Sequence, residues 1–136
     1  MNKLTMDGTT LNHHFINLSY LDLMADGDLQ MKKLMLQMLL KEIPSELNKM
    51  QQLYQEHNWS DLRRASHKMK TTLSFVGNQA LSDANHSIEY ITKREEDLEQ
   101  LPDFFGILRE LSPKILRELR SVYEYCCRSA SEDRQF

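Results

Sequence analysis

Three features of this sequence predict an all-α fold: an antiparallel up-down-up-down four-helix bundle with a short extra N-terminal helix. Leu, Met, Lys, Glu and Gln abound while the 136 residues hold only four glycines and three prolines, so helix is favoured throughout. No segment alternates apolar and polar residues between turn signals as a strand would. Apolar residues instead recur at helical spacing in four substantial stretches joined by short breaks, and short connections make neighbouring helices antiparallel.

Residues 1–12 carry no clear pattern and read as a loose arm. A short helix is predicted near Phe15 to Met24, where Phe15, Leu18, Leu21 and Met24 stand three apart. Asp26-Gly27-Asp28 breaks it, and Asp28 supplies an N-cap for the next helix. That second helix runs from Leu29 to about Glu56. Its stripe of Leu36, Leu39, Leu40, Ile43, Leu47, Met50 and Tyr54 keeps phase across Pro44, so a continuous, bent helix is expected. Met31, Leu34 and Met38 form a second apolar face, with Met35 between the two. The short first helix is expected to cover this face, leaving part of it as an adaptable, methionine-rich docking surface.

Asn58 or Ser60 caps the third helix, whose stripe is Leu62, Ala65, Met69, Leu73 and Val76 and whose end is marked by Gly77. Asn78 caps the fourth at once, with Leu81, Ala84, Ile88 and Ile91 inward. The run Lys93-Arg94-Glu95-Glu96-Asp97 is a helix end and loop. Leu101-Pro102-Asp103 opens the last helix, with Phe104, Leu108, Leu111, Ile115, Leu119 and Val122 inward and Pro113 bending or dividing it. Ser129 to Phe136 reads as a frayed polar tail, which leaves residues 13–128 as the bundle domain.

The length suits one domain, and 40% hydrophobic with 27% charged residues suits a folded soluble protein. No run approaches the roughly 18 apolar residues of a membrane span, and the first residues lack the apolar core of a signal peptide. A cytoplasmic protein is expected. Cys126 and Cys127 are adjacent and point to different sides of a helix, so reduced thiols are expected rather than a staple or metal pair. Of the five histidines, none forms an i, i+4 pair or joins a cysteine at ligand spacing, so no metal site is expected. His13 and His14 are adjacent, His57 lies near a helix end, and His86 stands on the helix neighbouring that of His67. Trp59 and the tyrosines show no arrangement for stacking nucleotides.

Charge is uneven. Net charge is −3, yet Asn58 to Gly77 carries +3 through Arg63, Arg64, Lys68 and Lys70 against Asp61, which leaves −6 on the rest. A basic patch on an acidic body suggests an acidic protein partner rather than nucleic acid.

His67 lies within that patch. At about 100° per residue it points roughly 160° away from the centre of its helix's apolar stripe. An exposed imidazole is nucleophilic at one nitrogen near neutral pH. Lys70, one turn on, shares its side of the helix and can reach an anion held there. Arg63 and Arg64, one turn earlier, add positive potential. No Asp or Glu stands at a neighbouring position of the same helix to act as base, and no glycine-rich loop could hold a nucleotide. The chain therefore carries a nucleophile without a catalytic apparatus, which is what a phosphoryl carrier needs.

The stretch from His67 to Gly77 resembles the signature of histidine-containing phosphotransfer (HPt) domains. That signature has an apolar residue two after the histidine, lysine three after, and glycines four and ten after. His67, Met69, Lys70 and Gly77 match it, and Ser74 lies within it. The resemblance extends over about a hundred residues. Leu21 to Asp28 is similar to the family's first turn, and Leu39-Leu40-Lys41-Glu42-Ile43-Pro44 to its proline-bearing helix. Asn58-Trp59-Ser60-Asp61-Leu62 is similar to the start of its histidine helix, and Ser87-Ile88-Glu89 to a segment of the following one. Thr71 departs from the pattern, standing where the family usually has glycine. It lies over His67 and narrows the room for an incoming active site, while its hydroxyl is expected to bond a carbonyl of its own helix.

The resemblance implies phosphorelay. A receiver domain of a response regulator or hybrid histidine kinase would dock its phosphoaspartate and bound Mg²⁺ over His67. The phosphoryl group would pass to the imidazole and later to a second receiver. On that reading His67 is the phosphoacceptor, Lys70 its charge partner, and Leu21, Met24, Met31 and Met35 the docking patch. The protein would be a monomeric carrier without metal, cofactor or autonomous catalysis of its own. The rival reading is a bundle that only sequesters receivers. A kinase is disfavoured because 136 residues hold no ATP-binding segment.

Overall fold

The computed structural model describes residues 14–134, with side chains through residue 129, so the arm expected over residues 1–12 lies outside them. The protein is all-helical: α1 (Ser19–Ala25), α2 (Leu29–Gln55), α3 (Trp59–Ser74), α4 (Gln79–Arg94) and α5 (Leu101–Arg134), with a 3-10 turn at Leu98–Gln100. No strand occurs among the described residues. α2 packs on α3 and α5, and α4 packs on the same two helices, so the four long helices surround one core.

The caps are those the sequence offers. Asp28 accepts from the Met31 N–H, Asn58 from Asp61 and Asn78 from Leu81, each satisfying a donor that the first turn leaves free. The core is built from the expected stripes, with Leu36, Ile43, Met50, Leu62, Met69, Leu73, Leu81, Ile88, Ile115 and Leu119 fully buried. Each such side chain is worth about 1.5–3 kcal/mol out of water. Pro44 and Pro113 lie inside unbroken helices. Both rings are on the outside of the bundle, where water can serve the carbonyl that each proline leaves without a donor.

Several boundaries differ from expectation. α1 begins only at Ser19, and Phe15 and Leu18 belong to an extended lead-in. Glu118 anchors that lead-in by accepting from the His14 and Phe15 N–H groups at 3.0 Å each. Asn17 N–H donates to the Val76 carbonyl at 2.9 Å, and Asn78 Nδ2 to that of Phe15 at 2.8 Å. α3 ends at Ser74, three residues short of Gly77. The last turn nevertheless closes on Gly77 as expected: at φ +73° it is left-handed and its N–H donates to the Leu73 carbonyl at 3.4 Å, and an added Cβ there would come within 2.2 Å of the Asn17 carbonyl oxygen. It is required for the lead-in to pass.

In α5, Phe105 rather than Phe104 takes the fully inward position, because the helix enters on the buried Leu101 and repeats at Phe105 and Leu108. The segment expected to fray from Ser129 stays helical through Arg134, since no glycine or proline stops it. Cys126 is buried and Cys127 partly buried, and both are free thiols. Among the described residues, no helix is long and apolar enough to cross a membrane.

Candidate functional site

α3 presents His67 to solvent because its neighbours are committed inward: Ser66, Met69 and Leu73 are buried, while the His67 side chain is 61% exposed. The ring is not free to turn. Its Nδ1 lies 2.6 Å from Oε2 of Glu89 on α4, a carboxylate only 16% exposed. A carboxylate only accepts, so Nδ1 carries the hydrogen and Nε2 keeps the basic lone pair. Nε2 has no hydrogen-bond partner among the described residues.

A buried polar clamp directly behind the imidazole sets this pairing. Ser66 Oγ lies 2.8 Å from the Asn85 carbonyl and 2.9 Å from Asn85 Oδ1, and Asn85 Nδ2 donates to the Ser66 carbonyl at 2.9 Å. Four residues on from Asn85, Glu89 is thereby delivered to His67. Nothing local to α3 points to Glu89. No acid stands one turn away from His67 on α3, and this one lies 22 positions later on another helix.

Lys70 is exposed one turn beyond His67 and makes no ion pair among the described residues. With Leu73 it forms the α3 side of a cleft whose α4 side is Ser82, Asn85, His86 and Glu89. The cleft is about 20 Å³, room for a single water-sized group. His86, the histidine on the neighbouring helix, therefore does reach the site.

Arg63 is half-buried, and Arg64 is held at the start of α3 by Asp61 and by Ser60 Oγ at 3.2 Å. Arg64 thus serves its own helix rather than His67. Thr71 is exposed. The carbonyl bond expected of its hydroxyl is not made among the described residues; instead its own carbonyl accepts from Ser74 Oγ at 2.5 Å. No group of three or more His, Cys, Asp or Glu among the described residues is placed to hold a metal ion.

The apolar surface needs the largest correction. Leu21 is fully buried and cannot belong to a docking patch, because it is the residue that seats α1 on the core. Met24 and Met31 are 52% and 44% exposed, and Met35 is partly buried. Nor does α1 cover the second face of α2, since Leu34 and Met38 are 55% and 56% exposed. With only seven residues, α1 covers one side of α2 alone, pinned there by the Asp22 carboxylate 2.7 Å from the buried ammonium of Lys32. Leu23 at 70% and Tyr20 at 45% are further exposed apolar side chains on α1, the Tyr20 ring stacking on Phe75 at 5.1 Å.

A family model described as Hpt domain matches residues 34–124, from within α2 to within α5 and including both halves of the His67–Glu89 pair. No curated protein and no solved structure matches the chain.

Proposed function

The chain belongs to the Hpt domain family, whose members are phosphocarriers of two-component signalling, and on that premise we propose that it carries a phosphoryl group on Nε2 of His67. The observation that bears this reading is the Nδ1–Glu89 pair beneath a ring left 61% exposed. The Nε2 lone pair attacks the phosphorus of a receiver's phosphoaspartate. The phosphorus–oxygen bond breaks, and the aspartate leaves with the electron pair. Positive charge develops on the ring as the new bond forms, and the Glu89 carboxylate at Nδ1–H stabilises it. Lys70 takes up charge on the phosphoryl oxygens. The receiver brings its own acidic pocket and Mg²⁺, so this chain contributes a positioned nucleophile and no catalysis by itself.

Met24, Met31, Leu23, Leu34 and Tyr20 form the apolar surface on which we seat the receiver, with Met35 at its edge. Thr71 lies under the incoming pocket and limits which receivers fit. We read the ring of helix contacts and its short connections as an antiparallel up-down-up-down bundle acting as a monomer.

Incubation with a phosphorylated receiver domain tests the proposal. Label should move to the protein, and His67→Gln should abolish the transfer. Label arriving from ATP with no partner present would instead indicate an enzyme, and binding without transfer a sequestering module.

A further inference from the structure

The cleft between Lys70 and Glu89, which reaches His67 through Glu89 rather than being lined by the ring itself, holds a histidine that the carrier mechanism does not use. Ser82, His86 and Glu89 stand at positions i, i+4 and i+7 of α4, one face of the helix, and all three line the cleft opposite Lys70. At about 20 Å³ the cleft is far too small for a metabolite, whose pockets run to about 300 Å³ or more. It admits a water or a single phosphoryl oxygen.

Charge balance assigns the histidine a role. Phosphorylation would add about two negative charges on the phosphoryl oxygens beside Glu89, already anionic, and one positive charge at most on the ring, through the hydrogen kept at Nδ1. Lys70 offers one positive charge in return. His86 is the other side chain lining the cleft that can become positive, and it is exposed, so its charged form keeps its hydration. Within the cleft it faces Lys70 from α3, which repels added positive charge, and Glu89 from α4, which attracts it, with Leu73, Ser82 and Asn85 neutral; Asp83, one turn earlier on α4, adds a second carboxylate on its own helix. A phosphoryl group on His67 tips that balance toward the imidazolium.

We propose that His86, as an imidazolium, shares with Lys70 the neutralisation of the phosphoryl group on His67 and so makes the phosphorylated carrier more favoured at mildly acidic pH. This rests on the carrier reading above. A histidine is suited to the part because it changes charge across the neutral range, where a lysine does not.

The test is an equilibrium measured on the full chain. Labelled receiver and carrier are allowed to exchange phosphoryl groups until their shares are constant, at pH 6.0 and at pH 8.5, for the wild type, His86→Ala and His86→Lys. An equilibrium between free proteins is indifferent to how well they dock, so a contact with the receiver cannot imitate the effect. With one receiver throughout, its own pH dependence cancels between variants. The exchange constant should favour the wild type over His86→Ala about two- to fivefold at pH 6.0, as for one exposed charge pair, and by little at pH 8.5. His86→Lys should keep the advantage at both values. Equal constants for the wild type and His86→Ala at both pH values would overturn the proposal, as would a His86→Lys protein that behaves like His86→Ala. Failure of the wild type to take label at all would overturn the carrier reading and this one with it.

Discussion

Gly77→Ala and Gly27→Ala make a matched pair that isolates one contact. Both glycines hold positive φ, +73° and +79°, so alanine is strained at either. At Gly27 a new Cβ meets nothing within 4 Å, and the cost is conformational alone, about 1 kcal/mol. At Gly77 it would stand 2.2 Å from the Asn17 carbonyl oxygen and 2.9 Å from the Asn17 Cβ. The lead-in has to move, taking with it the bond from Asn17 to Val76 and the bond from Asn78 to Phe15. At about 1 kcal/mol for each hydrogen bond, the total at Gly77 reaches about 3 kcal/mol. Urea unfolding followed by circular dichroism reads the difference. With a slope of about 2 kcal/mol per molar, the two midpoints should separate by about 1 M. Coincident midpoints would refute the claim that the passing lead-in, rather than backbone conformation, requires this glycine. Phosphoryl acceptance should survive in both variants, because Gly77 touches the lead-in and not the imidazole.

Replacing Glu89 by Gln keeps an acceptor at Nδ1 but removes its charge; transfer to His67 from a phosphorylated receiver should slow about fivefold, for a loss of about 1 kcal/mol in a charge-assisted bond. An unchanged single-turnover rate would remove Glu89 from the mechanism. Leu21→Ala and Met31→Glu should separate core from surface. The first should lower stability by about 2–5 kcal/mol in urea titration. The second should leave the urea midpoint nearly unmoved while weakening receiver binding, measured by calorimetry, about tenfold, as for about 1.4 kcal/mol of lost apolar contact. Burial raises the pKa of the Cys126 thiol above its ordinary value and withholds it from reagents. At pH 8 a thiol-specific disulfide reagent should therefore titrate one cysteine of the native protein, Cys127, and both only after unfolding.

Most of the helices were legible because a helix buries one stripe, and a stripe is a local pattern. Leu36 to Tyr54 announced a helix that continues unbroken past Pro44. Asp28, Asn58 and Asn78 announced the starts of α2, α3 and α4, because a cap is satisfied within three residues. The outward direction of His67 was legible for the same reason. Glu89 was not, since its distance from His67 depends on how two helices are aligned, and no spacing within one helix encodes that. Leu21 and Leu34 failed in opposite directions for a related cause. Each lies on an apolar face, and only the length and placement of α1 decide which face is covered. Gly77 looked like a helix terminator and is one, with a left-handed φ and a bond to the Leu73 carbonyl, but its second role was hidden: clearance for a segment of chain arriving from sixty residues earlier.

Ser66 and Asn85 precede His67 and His86 by one residue each, and they are buried at 0% and 2% exposure. Two helices meeting through leucines alone could slip by a turn, about 5.4 Å, and lose only quality of fit. A slip here would strand the Ser66 hydroxyl and the Asn85 amide away from water, at about 1–3 kcal/mol for each group left unsatisfied. α3 and α4 thus have a single permitted alignment, chosen when the chain folds. On the proposed reading, Nε2 of His67 is consequently aimed before a receiver arrives, and part of the entropy of assembling the reacting groups has already been met by folding. A protein docking on this face encounters a fixed target rather than one that it must organise.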